Sequence, residues 1–361
     1  MRVDGSRILY ASTNHGWDVG WTFYQMLAGA LARVADVVYV DSPRSLARLQ
    51  RRDLALLTGP HAHREDGVRV LRTVGVPAQR TEWLRRAAAR LTAAQVGRWA
   101  RSERFEPDLF WTYSPYELAL LDRFPHVRSV YWTGDEVVMP GEAEVLRRVD
   151  AILCVSTPVY ERQRARYGGR VHFVPVACDF DRYHAALGYG AAELADLRRP
   201  IVGYSGFVND RVDTALVADV ARSLGTAGTV AVVGPVAEAQ RRELASTPNV
   251  VLVGPQPPER VPRLIDAFDV AVIPYTDSEF NHNSNPAKFY EYLALGKPVV
   301  STDIPTLRPF GDVASIGSRE SFVDRTRAVL EQSGDNGQAR IAIARDHSFD
   351  ALLDRLRALP E

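Results

Sequence analysis

"SNPAKFYEYLALGKPVVSTDIP" (284–305) holds the only two lysines of the chain, Lys288 and Lys297, among 44 basic residues, and it also carries Glu291. Pro286 stands where a helix would begin, because proline lacks an N–H that the first turn would leave unpaired. Asn285 then reads as the N-cap and Gly296 as the C′ residue that ends the helix. "VAVIPY" (270–275) before it and "PVVST" (298–302) after it are short Val-rich runs, with the polar loop "TDSEFNHNSN" (276–285) between strand and helix. Strand, loop, helix and strand in that order make a βαβ unit and therefore a parallel sheet.

The same alternation runs outward in both directions. "RILYAS" (7–12), "VVYVDS" (37–42), "GVRVLRT" (67–73), "DLFWTY" (108–113), "VRSVYWTG" (127–134), "AILCVS" (151–156) and "VHFVPV" (171–176) are separated mostly by helical stretches. Residues 184–199, "HAALGYGAAELADLRR", lack strand character. A second series follows: "PIVGYSG" (200–206), "TVAVVGP" (229–235), "NVVLVG" (249–254), the two runs above and "DVASIG" (312–317). The pattern predicts two Rossmann-like, doubly wound α/β lobes, 1–183 and 200–345, with a linker at 184–199. Residues 346–361 form a last helix that could pack back on the first lobe. Ligands of such sheets bind outside the carboxyl ends of the strands, so a cleft between the lobes is the expected site.

Composition narrows the function. The 361 residues suffice for two domains. Basic and acidic residues number 44 each, which argues against a general nucleic-acid binder. Cys154 and Cys178 lie in or beside apolar runs and read as buried, reduced thiols. The sequence shows no signal-peptide pattern and no long apolar run, so a soluble, cytoplasmic protein is expected.

The helix at 286 supplies the chemistry. Its amino end, at the carboxyl end of a strand, offers free N–H groups and a positive partial charge, which suits phosphate. A cation in that first turn is unfavourable unless an anion binds there, and Lys288 is such a cation. A compact ammonium acts on phosphate as a point charge, whereas arginine favours planar, bidentate partners. Glu291, one turn on, can accept hydrogen bonds from two adjacent hydroxyls such as a ribose diol. Lys297 reads as a cation at the helix's negative end.

At these residues the chain resembles the GT-B glycosyltransferases, in particular family GT4. Their frequent pattern Pro-x-Lys-x-x-Glu-Tyr-Leu-Ala-x-Gly-x-Pro-Val-Val stands here as Pro286, Lys288, Glu291, Tyr292, Leu293, Ala294, Gly296, Pro298, Val299 and Val300. "VGYSGFVNDRVD" is similar to the family's glycine loop, and "PPERVPRLIDAFDVAVIPY" to the segment leading to its donor strand. "RRVDAILCVSTPVYERQRARYGGRVHFVPVACDFDRY" is similar to the end of the acceptor lobe. The resemblance covers most of residues 105–315.

It implies metal-independent, retaining transfer of a sugar from a UDP-, TDP- or GDP-sugar, by a hexosyltransferase-type enzyme without a cofactor. Lys288 and Arg211 would stabilise the leaving diphosphate. The implied donor set is Gly16, Gly206, Phe207, Pro255, Tyr275, Asn283, Ser284, Asn285, Ala287, Lys288 and Glu291. Two departures stand out. Asn283 occupies the first acidic position of the family's Glu-x7-Glu, and Phe207 stands where an arginine is frequent. The pair Asp179 and Asp181 forms an Asp-x-Asp, but Asp179 falls on a structural landmark of the family.

In the first lobe, "TNHGWDVGW" (13–21) follows the first strand, and His15, Trp17, Asp18 and Trp21 are candidates for substrate contact. His15 is the candidate that orients a hydroxyl or touches the donor. Asp135, in "YWTGDEV" (131–137), is the candidate general base of an inverting reaction, a sugar-positioning group in a retaining one, or an N-cap. The acceptor is expected to be a saccharide, a lipid-linked saccharide or a small secondary metabolite. Residues 80–104 carry seven arginines and two glutamates. Arg86, Arg90, Arg101 and Arg104 are assigned to one face, Leu84, Ala88 and Leu91 to another. That allows peripheral contact with the inner face of a membrane, with a solvated helix face as the alternative. His61 and His63 are read as loop residues. A nucleotide-sugar 2-epimerase and a non-catalytic nucleotide-sugar-binding homologue are the competing functions.

Overall fold

A computed structural model describes residues 1–13, 16–19, 22–45, 56, 59–75, 81–134, 141–332 and 336–360. His15, Trp21 and Asp135 lie outside the described residues. The chain divides into two units. The first comprises Met1–Val155, Val159–Val174 and Leu353–Glu361, the second Ser156–Pro158 and Pro175–Leu352.

Unit 1 contains β1 (Arg7–Ala11), β2 (Asp36–Val40), β3 (Arg44–Ser45), β4 (His61–Glu65), β5 (Val68–Arg72), β6 (Val74–Gly75), β7 (Leu109–Thr112), β8 (Arg128–Thr133), β9 (Ala151–Cys154) and β10 (Val171–Phe173). Eight of them form one sheet in the order β10-β9-β8-β7-β1-β2-β5-β4, and β3 pairs with β6. Tyr10 is in register with Tyr39 of β2 and Trp111 of β7. All pairings in the large sheet are parallel except that of β4 with β5. His61 and His63 are thus strand residues, not loop residues. The turn between β4 and β5 is Asp66-Gly67, both at positive φ (48° and 82°), the geometry that an Asp-Gly hairpin turn demands.

The helix Glu82–Ser102 buries Thr92, Ala93, Val96, Trp99 and Ala100. Leu91, assigned from sequence to the apolar face, is 45% exposed. The buried stripe runs through 92, 96 and 99, on the opposite side, where Trp99 joins the core. Cys154 is buried here, and burial pushes its thiol up to about 12; Cys178 is buried in unit 2, and both are free.

Unit 2 contains β11 (Ile201–Ser205), β12 (Thr229–Val233), β13 (Val250–Gly254), β14 (Val270–Ile273), β15 (Val299–Thr302) and β16 (Ser315–Gly317). Their order is β13-β12-β11-β14-β15-β16, and all pairings are parallel. This is the order of a dinucleotide-binding Rossmann sheet. Gly203 lets Phe268 lie flat on β11: a Cβ at Gly203 would sit 2.1 Å from the ring.

Residues 175–199, expected to close the first lobe and link it to the second, group with unit 2 instead. Hydrogen bonds explain this. The Cys178 N–H donates to the His347 carbonyl at 2.9 Å, and the N–H groups of Gly188 and Gly190 donate to the Asp266 carboxylate, each at 2.9 Å. Residues 353–361 group with unit 1, where Arg357 pairs with Asp4 at 2.9 Å and Arg128 donates to the Pro360 carbonyl at 2.8 Å.

Candidate functional site

The strand order of unit 2 reverses between β11 and β14. Connections leave these two strands toward opposite sides, which opens a crevice at their carboxyl ends. Ser205-Gly206 and Pro274-Tyr275 line its two sides. The helix Ala287–Ala294 follows the loop after β14 and starts at Pro286, which occupies the N-cap and supplies no side-chain cap. The sequence reading placed Asn285 there. Asn285 lies one residue outside, and its Oδ1 accepts instead from the Tyr290 hydroxyl at 3.1 Å. With no capping oxygen, the helix's amino end suits an anionic partner.

Lys288 is partly buried in this first turn. Its Nζ donates to the Tyr275 hydroxyl at 2.6 Å and lies 5.0 and 4.9 Å from the ring centroids of Tyr204 and Tyr275. Burial works against its charge, but the oxygens of Tyr204, Tyr275 and Tyr292 outweigh burial and raise its pKa, so the ammonium persists at neutral pH. Gly206 lies beneath it at φ 135°, where a Cβ would be 3.1 Å from Lys288 Cε. Gly234 permits the tight turn in turn: a Cβ there would be 2.3 Å from the Gly206 carbonyl oxygen. The Tyr292 hydroxyl accepts from the Ser205 N–H at 2.8 Å and ties the helix to the end of β11.

Arg211 reaches the same place. Its Nε donates to Asn281 Oδ1 at 3.2 Å, and its guanidinium lies 3.9 Å from the Phe280 ring centroid and 5.3 Å from that of Tyr275. Two cations therefore flank Tyr275. Phe207, next to Gly206, is 54% exposed, and its carbonyl accepts from the Tyr204 hydroxyl. Pro255 is exposed at the end of β13, two strands from the crevice.

The polar loop before the helix is buried, unusually for its composition. Asn281, Asn283, Ser284 and Asn285 are all nearly inaccessible. Asn281 Nδ2 donates to the carbonyls of Arg211 and Thr276 at 3.0 and 2.9 Å, and the Ser284 hydroxyl donates to the Asn281 carbonyl at 2.8 Å. Asn283 Nδ2 has no acceptor among the described residues. A buried amide donor without an acceptor costs about 1–3 kcal/mol, which a bound hydroxyl would recover.

Glu291 accepts a hydrogen bond from Tyr183, and burial, only partly offset by Lys288, raises its pKa. Asp179, near it, caps the helix Phe180–His184 and pairs with Arg182 at 3.0 Å. Lys297 differs from its sequence reading. The helix ends in a complete Schellman turn, with Gly296 at φ 66° and the Lys297 N–H donating to the Tyr292 carbonyl at 3.1 Å. The Lys297 ammonium leaves the helix end and pairs with the buried Asp266 carboxylate at 3.2 Å. Lys297 is held by a carboxylate, whereas Lys288 is held by a phenol.

Residues 199–332 match the family described as "Glycosyl transferases group 1". These residues are similar to the group 1 glycosyltransferases. The fold of the chain is GT-B. It is shared at TM-score 0.68 and 15% identity with sucrose-phosphate synthase from Thermosynechococcus elongatus, over 98% of each chain. It is shared at TM-score 0.67 and 14% identity with Anabaena HepE in complex with UDP and glucose, also over 98% of each. The chain is 28% identical over 235 residues to the putative teichuronic acid biosynthesis glycosyltransferase TuaH of Bacillus subtilis, which covers 61% of this chain and 59% of that relative. The matched residues include Lys288, Glu291, Gly206 and Arg211.

In unit 1 the candidates fare differently. Trp17 is 4% exposed, its backbone N–H donates to the Asp41 carboxylate at 2.8 Å and its ring meets Tyr39 edge-on at 4.9 Å. Trp17 therefore packs among the aromatic rings of this sheet. Asp18 is engaged by Arg44 and by Arg72 at 3.1 Å. The Gly16 carbonyl accepts from Gln25 at 3.0 Å.

Sequence reading missed Glu117, Tyr204 and Tyr183. Glu117 is buried where the order of the first sheet reverses between β1 and β7. It accepts from the Thr13 N–H at 3.0 Å, and burial lifts its pKa to about 7. Its only signal was an acid soon after a strand, in "WTYSPYE".

Proposed function

We propose that this chain transfers a sugar from a nucleoside diphosphate sugar to an acceptor hydroxyl. The observation that carries the reading is the Lys288 ammonium, held by phenols over Gly206 at the strand-order reversal, one turn from the partly buried Glu291 carboxylate. In this reading the pyrophosphate lies on Lys288, Arg211 and the amino end of the helix Ala287–Ala294. Glu291 accepts from the ribose diol, and the Asn283 amide donates to a sugar hydroxyl.

Breaking the bond between the anomeric carbon and the leaving oxygen puts charge on the diphosphate. Fixed donors that meet this charge lower the barrier, and one such donor is worth about 3–4 kcal/mol in sites of this kind. Lys288 and Arg211 are the chain's own cations for that role. We place the reaction in the retaining class, as the GT4-type pattern implies, with the leaving diphosphate taking the acceptor proton. UDP-hexoses are the first donors to test, given what HepE binds, and a saccharide acceptor agrees with the role in TuaH's name.

The test is incubation with labelled UDP-, TDP- and GDP-sugars with and without acceptors, and determination of the anomeric configuration of the product. Nucleotide release with transfer or slow hydrolysis supports the reading. Conversion of the sugar without release would make the protein an isomerase, and tight binding without turnover would make it a carrier.

A further inference from the structure

The helix Glu82–Ser102 turns its core stripe inward, and its opposite face carries an unusual combination. Trp83 is 69% exposed and Leu91 45%. Arg90, Arg98 and Arg101 lie within the same outward arc and are exposed. Between Glu82 and Glu103 the helix has no acid. A chain with zero formal net charge thus concentrates cations around two exposed apolar side chains on one helix.

The face continues past the end of the helix into a groove of about 680 Å³, where Arg101, Arg104, Arg123 and His126 surround an apolar floor that includes Phe105 and Phe124; Glu106 is its one acid. Arg104 holds a left-handed conformation, φ 52°, at a position that glycine usually fills. Gly97 makes room for Arg123: a Cβ there would lie 2.2 Å from its Nε. Toward the amino end of the helix the same flank borders Asp122 and Glu144 beside Arg86 and Arg90, and Asp122 is paired with Arg148.

We propose that this face is a membrane-docking surface that binds anionic phospholipid. Charge complementarity selects the occupant. A water-exposed helix gains nothing from Trp83 and Leu91, whereas an indole and a leucine beside arginines match the headgroup layer, with the apolar groups entering the acyl boundary and the guanidinium groups on phosphates. The groove takes one further headgroup, its phosphate on Arg101, Arg104 and Arg123. The inference concerns unit 1 alone and does not depend on the donor site.

Sedimentation of the full chain with vesicles tests it. The protein binds phosphatidylcholine vesicles containing phosphatidylglycerol, does not bind phosphatidylcholine alone, and is released by high salt. Replacing Arg90, Arg98 and Arg101 by Gln lowers partitioning about fivefold for each residue, roughly a hundredfold together. Trp83→Ala lowers it about tenfold or more. These side chains are exposed, so thermal midpoint and nucleotide affinity stay as in the wild type. Absence of binding to phosphatidylglycerol vesicles, equal binding to neutral vesicles, or partitioning unaffected by the three-arginine variant would each overturn the proposal. So would concentration-dependent dimerisation abolished by Trp83→Ala, which would make the face a protein contact.

Discussion

The Lys288 ammonium donates to the Tyr275 hydroxyl at 2.6 Å, and among the described residues no carboxylate lies within ion-pair distance of it. A phenol holds the charge in place without neutralising it, which leaves its attraction available to a phosphate. Lys288→Ala should weaken nucleoside diphosphate binding by about 1.5–3 kcal/mol, on the order of ten- to hundredfold in Kd, by titration calorimetry. Lys288→Arg should recover only part, because a planar guanidinium does not present its charge to phosphate as a compact ammonium does. Unchanged affinity in the alanine variant would show that the phosphate lies elsewhere.

Lys297 predicts the converse. It pairs with an Asp266 carboxylate that also accepts from Gly188 and Gly190. Removing one partner of a buried pair leaves the other charge uncompensated, so Lys297→Ala should destabilise the protein by about 3 kcal/mol while donor affinity holds. Thermal unfolding and titration on the same variant separate the roles of the two lysines.

In the proposed reading Glu291 binds the ribose diol as a carboxylate. Burial raises its pKa, so it protonates above the usual carboxylate range, and wild-type affinity should fall on acidification earlier than for an exposed acid. Glu291→Gln should lower affinity about tenfold at neutral pH and remove that acid limb. It should also discriminate less between ribose and deoxyribose nucleotides. A variant with an unaltered pH profile would separate Glu291 from the nucleotide.

Glu117 makes a stability prediction with a definite sign. Its folded-state pKa is raised from 4.5 to about 7. The folded chain therefore holds the proton more tightly, and this contribution is complete below the unfolded value and is lost as pH rises through about 7. Glu117→Gln, which still accepts from Thr13, removes this slope. Relative to the wild type it should gain up to about 3 kcal/mol between acid and neutral pH. Parallel unfolding curves for the two proteins across that range would contradict the buried-acid account.

Strands were legible where both faces are buried, because runs such as "VVYV" and "VAVI" leave little else to read. The antiparallel β4 was missed because "HAHRE" is polar, although the Asp66-Gly67 turn after it was a hairpin signal. The two lysines stood out because the chain otherwise writes arginine, yet their opposite fates depend on partners distant in sequence, Tyr275 and Asp266. Asn285 lost the cap position because Pro286 took it. The two tyrosines that were missed carry no motif: Tyr204, beside Lys288, lies on a strand, and Tyr183, which donates to Glu291, belongs to a segment that looked like the other lobe. Trp17 looked like a surface contact because an indole beside glycines suggests a ligand loop; burial against Tyr39 is a tertiary fact.

A crystal structure of the protein soaked with a nucleoside diphosphate tests the central claim most directly. The account predicts a pyrophosphate oxygen within hydrogen-bond distance of Lys288 Nζ, further oxygens on the amino end of the helix Ala287–Ala294, and both ribose hydroxyls on Glu291. Nucleotide density at a different strand end, or a Lys288 ammonium still bound only to Tyr275 beside a bound nucleotide, would contradict it.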